Sequence, residues 1–395
     1  MSWPLVKLGK LCTVVRGSSP RPKGDPKYYG GNVPRLMVSD VTRDGKYVTP
    51  KIDFLTEAGA EKSRPMNKDD FIIAVSGQPG QALILAVDAC IHDGFAGLRN
   101  LNESEISKDY LFHFMNSTKE RFSASAAGAI FKNLTTEQIR ELEIPLPPLD
   151  EQKRIAAILD KADAIRRKRQ QAIQLADDFL RSVFLDMFGD PVTNPKGYPL
   201  SILSDFYISP KGGTKCGPFG SALKKHEYVE DGVPVWNMDN ISLNGKFTDS
   251  PRLWITKSKY FDLEAYSVEN GDVIISRAGT VGKMGVVRSK SEHSIISTNL
   301  IRVRFGEKLR PEYFVNLMNY CKGRVGRLKT GPDGAFTHMN TGILDKLEFP
   351  YPDIELQDKF IEIKEKVISS LEKSEKKDID NLFNSLSQKA FAGEL

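Results

Sequence analysis

From Ile155 to Val183 the apolar residues fall in alternating steps of three and four: Ile155, Ile158, Ala162 and Ile165, then Arg169, Ala172, Ala176, Phe179 and Val183. That spacing is a heptad seam with one charged member. It predicts a helix of about 40 residues, roughly 60 Å long at 1.5 Å per residue. Pro147-Pro148 pre-sets its entry, Asp150 and Glu151 suit its N-terminal dipole, and Gly189 and Pro191 stop it. A second helical pattern runs from near Ile354 to near Phe391, opened by Phe360, Ile363 and Val367 and closed by Leu382 and Leu386. Both patterns are polar in the middle, at Arg166–Gln171 and at Ser374–Asp378. A lone seam of this length would leave apolar side chains in water. The pairing residues Ile155, Ile158, Ile165, Phe179 and Val183 on one helix and Phe360, Ile363, Val367, Leu382 and Leu386 on the other predict an antiparallel coiled coil.

Ahead of each helix the period changes. Short strand-like runs (Phe71–Val75, Leu83–Val87, Val273–Ser276, Gly285–Val287, Leu300–Val303) alternate with Gly and Pro turns, and helical segments follow near Lys108–Asn116 and Pro311–Tyr320. The chain also repeats itself. Trp3-Pro4-Leu5 answers Tyr198-Pro199-Leu200, and Ser39-Asp40-Val41 answers Asp239-Asn240-Ile241. Asp70-Phe71-Ile72-Ile73 answers Asp272-Val273-Ile274-Ile275, Tyr110 answers Tyr313, Leu142–Pro147 answers Leu347–Pro352, and Gln152 answers Gln357. The matches keep their order, so the chain is a duplicate. The fold class predicted is α+β, with two tandem α/β domains each followed by a long helix. The expected boundaries are 1–147, helix 148–189, linker and second domain 190–352, and helix 353–395.

Composition narrows the class. Hydrophobic content of 40% and charged content of 27% suit a globular protein with a real core. No apolar run approaches the roughly 18 residues of a membrane span. The opening Met-Ser-Trp-Pro-Leu-Val-Lys has no long apolar leader segment, so a cytoplasmic protein is expected. Cys12, Cys90, Cys216 and Cys321 are scattered and the five histidines have no ligand spacing, so no metal is expected. The net charge of +5 favours an anionic partner only mildly. Enzyme motifs are missing: Asp190-Pro191-Val192 and Asn194-Pro195-Lys196 fail as adenine-methyltransferase motifs, and Gly279–Lys283 is too short for a phosphate loop.

The order of globular part, "IPLPPLDEQKRI" elbow (Ile144–Ile155), long helix, second globular part, "LEFPYPDIELQDKF" elbow (Leu347–Phe360) and "QKAFAGEL" end resembles the specificity subunit of a type I restriction–modification enzyme. "GPFGSALKKHEY" (Gly217–Tyr228) and "GDVIISRAGTVGKMGVV" (Gly271–Val287) are similar to that family's target-recognition domains. The resemblance implies a non-catalytic DNA reader. Each target-recognition domain would read half of a split, asymmetric site in double-stranded DNA. The paired helices would act as a ruler and dock two methyltransferase subunits, and restriction–translocase subunits would join for cleavage. S-adenosylmethionine, ATP and Mg would sit on those partners, with no cofactor on this chain.

Glycine-rich loops with Arg, Lys, Asn, Gln, Ser and Thr are the candidates for DNA contact. Glycine lets a backbone approach phosphate, Arg and Lys pair with guanine, and Asn and Gln pair with adenine. In the first half they are Arg16, Ser18, Arg21 and Lys23, and Ser76, Gln78 and Gln81. In the second they are Lys211, Thr214, Lys215, Ser221 and Lys224, then Asn237 and Asn240, then Arg277, Thr280 and Lys283. Solvated turns would carry the same residues. The basic run Arg166–Arg169 could face DNA, a methyltransferase subunit, or solvent. A coiled-coil scaffold whose globular parts bind protein is the alternative to a DNA reader.

Overall fold

The computed structural model describes residues 3–41, 45–128, 134–210, 212–220, 222–277, 282–321, 339–373 and 379–395. The chain divides into two compact units, residues 1–171 with 375–395, and residues 172–374.

In the first unit, a five-stranded sheet runs in the order Thr13–Arg16, Phe95–Arg99, Phe71–Ala74, Ala82–Leu85, Tyr47–Val48. A four-stranded sheet runs Asp53–Leu55, Tyr29–Leu36, Ala89–Ile91, Arg64–Met66. The runs Phe71–Ala74 and Ala82–Leu85 read as continuous apolar stretches because both of their faces are buried. The second unit repeats the plan. One sheet is Thr214–Cys216, Leu300–Val303, Val273–Ser276, Met284–Val286, and the other is Tyr228–Val229, Trp254–Ile255, Val233–Trp236, Ile295–Ile296.

Two of the repeated signatures turn out to be partners of each other. Leu5 pairs with Pro145 and Leu200 with Pro350 in antiparallel two-stranded ladders, which bring the start and end of each globular part together at its elbow. The elbow glutamine then clasps the assembly. Gln152, fully buried, accepts from the Ser107 N–H (2.8 Å) and donates to the Glu105 and Pro147 carbonyls (both 2.8 Å). Gln357, also fully buried, accepts from the Arg310 N–H (2.9 Å) and donates to the Pro352 carbonyl (3.0 Å). Each satisfies the orphan amide that precedes a domain helix, Lys108–Gly128 in one copy and Pro311–Cys321 in the other.

The long helix spans Leu149–Phe188, 40 residues, and Gly189 follows it with φ +72°. The second pattern is described as two helices, Ile354–Lys373 and Ile379–Ala392, with residues 374–378 outside the described set. Apolar packing of these helices occurs inside each unit. In the first, Ile155, Ala156 and Leu159 share a core with Tyr110, Phe114 and Ala390, and Phe383, Leu386 and Phe391 pack on its edge. In the second, Phe184 and Phe188 stand against Phe360 at 5.5 and 5.6 Å between ring centres, with Val183 packed beside them.

The expected seam is therefore corrected in its middle. Ile158, Ile363 and Val367 are only half-buried, while Ile165 (53%), Phe179 (51%) and Leu382 (50%) are exposed. The buried line steps to Leu159 and Phe184 instead, because the domain cores rather than a heptad partner decide which face is covered. The basic run is drawn to its own helix: Arg166 and Arg167 both pair with Asp163, at 2.7 and 2.8 Å, and Arg166 also lies over the Phe383 ring at 4.9 Å.

Candidate nucleic-acid interface

Hydrogen bonds align the two copies residue by residue. The Gly80 N–H donates to the Ala74 carbonyl and the Gly282 N–H to the Ser276 carbonyl. The Val75 N–H donates to Gly94 and the Arg277 N–H to Asn299. Gln81 and Lys283 also correspond, since their carbonyls accept from Ala74 and Ser276. On the neighbouring loop, Gly17 and Gly217 both donate to the following sheet strand, to Phe95 and Leu300 at 2.9 Å. Both are glycine for one reason. A Cβ at Gly17 would sit 2.0 Å from the His92 carbonyl oxygen, and one at Gly217 1.9 Å from that of Ser297.

Around this common frame the side chains differ. The first copy holds its loop by charge. Arg35, 5% exposed, donates to Asp53 (2.6 Å) and to the Ser19 hydroxyl (2.7 Å), which itself donates to Asp93 (2.7 Å). The Ser63 hydroxyl donates to the Ser18 carbonyl (2.7 Å), the Tyr29 hydroxyl to the Pro20 carbonyl (2.8 Å), and Arg64 Nε to the Arg16 carbonyl (3.0 Å). Burial, and then the Arg35 charge, push the His92 imidazole beside this network below its ordinary value. In the second copy the place of Arg35 is taken by buried Val235: each follows a proline in the strand and pairs in parallel, with Cys90 and with Ile295.

The predicted contact residues separate accordingly. Arg21, Lys23, Gln78 and Lys224 are exposed, and Ser76, Gln81, Lys215, Arg277 and Lys283 are half-buried at the loop edge. Arg16 donates through its guanidinium to the Leu134 carbonyl (3.2 Å), and the Ser18 hydroxyl to the Lys62 carbonyl (3.2 Å). The Thr214 hydroxyl lies 3.5 Å from Asp345, and Lys215 lies over the Tyr266 ring at 5.1 Å. Lys211, Ser221 and Thr280 fall outside the described residues.

Asn240 needs correction, and Asn237 is half-buried beside it. Asn240 is buried; its amide donates to the Thr248 and Ser250 carbonyls and its oxygen accepts from the Asn237 N–H. The Asn237 oxygen accepts from the Asp239 N–H in the same capped turn. Asp40 does the equivalent work in the first copy, accepting from the Met37 and Lys51 N–H groups. These residues close a loop, and their i, i+3 spacing is a capping signal.

Two residues that chemical pattern alone did not single out are Arg35, inside a strand, and Phe219. Phe219 is 56% exposed, and the Arg277 guanidinium lies 4.7 Å from its ring centre. Among the described residues there is no cluster of His, Cys, Asp and Glu that could hold a metal ion, and no helix long and apolar enough to cross a membrane.

The family model "Type I restriction modification DNA specificity domain" matches residues 2–175 and 219–381. The chain is 23% identical over 401 residues to the Type I restriction enzyme MjaVIII specificity subunit of Methanocaldococcus jannaschii, covering 95% of this chain and 90% of that protein. It is 22% identical over 423 residues to the Type I restriction enzyme StySPI specificity subunit of Salmonella potsdam, covering 100% and 89%. In fold it is similar to the crystal structure of the type I restriction–modification S subunit from M. genitalium, with a TM-score of 0.58, 16% identity, and 99% and 96% of the two chains covered. The chain belongs to the type I restriction-modification DNA specificity family.

Proposed function

We propose that the chain is the DNA-reading subunit of a type I restriction–modification enzyme, binding a bipartite asymmetric site in double-stranded DNA. One observation carries the reading: a duplicated frame holds different side chains at matching loop positions, Gln81 in one copy and Lys283 in the other, with Arg277 added at the edge of the second. Two copies of one reader would recognise a symmetric sequence, whereas two divergent ones recognise two different half-sites. The long helix and its partners set the gap and dock two methyltransferase subunits, with restriction–translocase subunits joining them. The chain itself performs no catalysis; S-adenosylmethionine, ATP and Mg belong to the partners, and the assembly works in the cytoplasm.

Methylation mapped at single-base resolution tests this. Arg277→Ala should relax one half-site, at about 1–3 kcal/mol of lost discrimination for a bidentate base contact. Gln78→Ala with Gln81→Ala should relax only the other. A protein-binding scaffold would instead show no DNA affinity that falls steeply with salt, as phosphate contacts require. Either that result, or altered preference across both half-sites in both variants, refutes the reading.

A further inference from the structure

We propose that Phe219 is a positioning residue for sequence specificity: it braces Arg277 in the orientation from which the guanidinium reads the half-site of the second copy. The inference rests on the DNA-reading function and adds to it a residue and a mode of action.

Single exposed apolar side chains are common on protein surfaces, so exposure alone decides nothing. The surrounding construction decides it. Gly217 and Pro218 are buried, and the Gly217 N–H is fixed to the Leu300 carbonyl at 2.9 Å. On the other side the Ala222 N–H donates to the Phe219 carbonyl at 2.9 Å, and Gly220 takes φ +39°. The backbone is thus held on both sides of a ring that stays in water. The Arg277 backbone is held as well, through its N–H to Asn299 at 2.9 Å. The guanidinium, 4.7 Å from the ring centre, lies well within the roughly 6 Å reach of a cation–π contact.

Stacking uses the face of a guanidinium and leaves its N–H fork in the plane for pairing. A braced arginine therefore keeps the donors that match guanine O6 and N7, while losing the rotamers that would spoil the match. At the matching positions the first copy is built differently. Val75 stands in place of Arg277 and is buried, and Ser19, two residues past Gly17 as Phe219 is past Gly217, turns inward to Asp93 and Arg35.

The test uses the full chain assembled with its methyltransferase subunit and a pool of random-sequence duplexes, recovered by binding and sequenced. Phe219→Ala should lower discrimination in the second copy's half-site about tenfold, as expected for a weakened base contact, and leave the other half-site and the thermal unfolding midpoint unchanged. Phe219→Trp, which keeps a strong π face, should retain discrimination. Phe219→Leu, which keeps only apolar bulk, should not. Phe219→Ala combined with Arg277→Ala should be no worse than Arg277→Ala alone, because residues acting through one contact are not additive. Wild-type selectivity in Phe219→Ala or Phe219→Leu, full additivity, or loss at both half-sites with a lowered unfolding midpoint would each overturn the brace while leaving DNA reading intact. A wild-type complex that recovers no preferred sequence would overturn both.

Discussion

The two copies agree where the backbone must close on itself and differ in where each places an arginine. Asp70 and Asp272 accept from the N–H three residues earlier, at 2.7 and 2.8 Å; Gly17 and Gly217 pass the same carbonyl; Gln152 and Gln357 clasp the same elbow. Against that agreement, Arg35 corresponds to Val235 and Val75 to Arg277. Each copy has put an arginine where the other keeps an apolar core residue. In the first copy the arginine is buried and fastens a loop; in the second it is at the loop edge, beside an exposed ring. Divergence has moved charge between scaffold and surface without disturbing the frame.

Exchanging those residues breaks the comparison most severely. Val235→Arg would bury a cation in an apolar cluster with Ile255, Tyr260 and Ile295, with Leu253 opposite it where Arg35 has Asp53. Leaving a buried charge without its partner costs on the order of 3–5 kcal/mol, so the second unit should unfold at a clearly lower temperature in calorimetry. Arg35→Val should cost less, about 2 kcal/mol, because the Asp53 left behind is partly exposed to water and can be hydrated. If Val235→Arg were the milder of the two, the picture of an apolar cluster around Val235 would be wrong.

The clasps sharpen the comparison at the next level. Each buried amide group left unsatisfied costs about 1–3 kcal/mol. Gln152→Ala strands the Ser107 N–H and two carbonyls, Gln357→Ala the Arg310 N–H and one carbonyl. Both should lower stability in urea titrations, with Gln152→Ala the larger loss. Equal, negligible losses would mean that water replaces the clasp.

The frame was legible in the sequence for the same reason that it is duplicated. Buried turns, elbows and strand pairs admit few residue types, so two copies kept recognisable words such as Asp-Phe-Ile-Ile and Ile-Pro-Leu-Pro. The duplication, the α+β class, the helix at 149–188 and the continuous apolar strands could all be read from those words. The site was legible only in outline. Asn240 looked like a reader because asparagine serves caps and adenine equally well, and its burial is a tertiary fact. Phe219 carries no polar chemistry, so nothing marks it until Arg277 lies across its ring. The helix seam slipped past Ile158 because the covered face follows the domain cores, with Leu159 buried and Ile165 exposed.

A final contrast concerns pH. The hydroxyls of Tyr110 and Tyr313 donate to the matching carbonyls Pro145 and Pro350, so the residue three further on is His113 in one copy and Asn316 in the other. His113 Nε2 lies 2.9 Å from Asp160 on the long helix, and Lys46 joins them, 3.1 Å from Asp160 and 2.7 Å from Asp109. Burial pushes the His113 imidazole below its ordinary 6.5 despite the Asp160 carboxylate. Burial alone would raise Asp160, but hydrogen bonds from His113 and Lys46 outweigh it and hold the carboxyl below the usual range. Both folded values are depressed, so both groups contribute stability that is present above their unfolded values and lost as pH falls through the folded ones. For His113 that loss starts below about 6.5, and for Asp160 only below about 3.9. The first unit should therefore lose a few degrees of thermal stability between neutral and mildly acidic pH, and His113→Asn should reduce that slope by making the position like Asn316, leaving the share of the similarly depressed His92. Calorimetry of the wild-type chain and the variant across this range decides it. A slope undiminished in His113→Asn would place the sensitive group elsewhere.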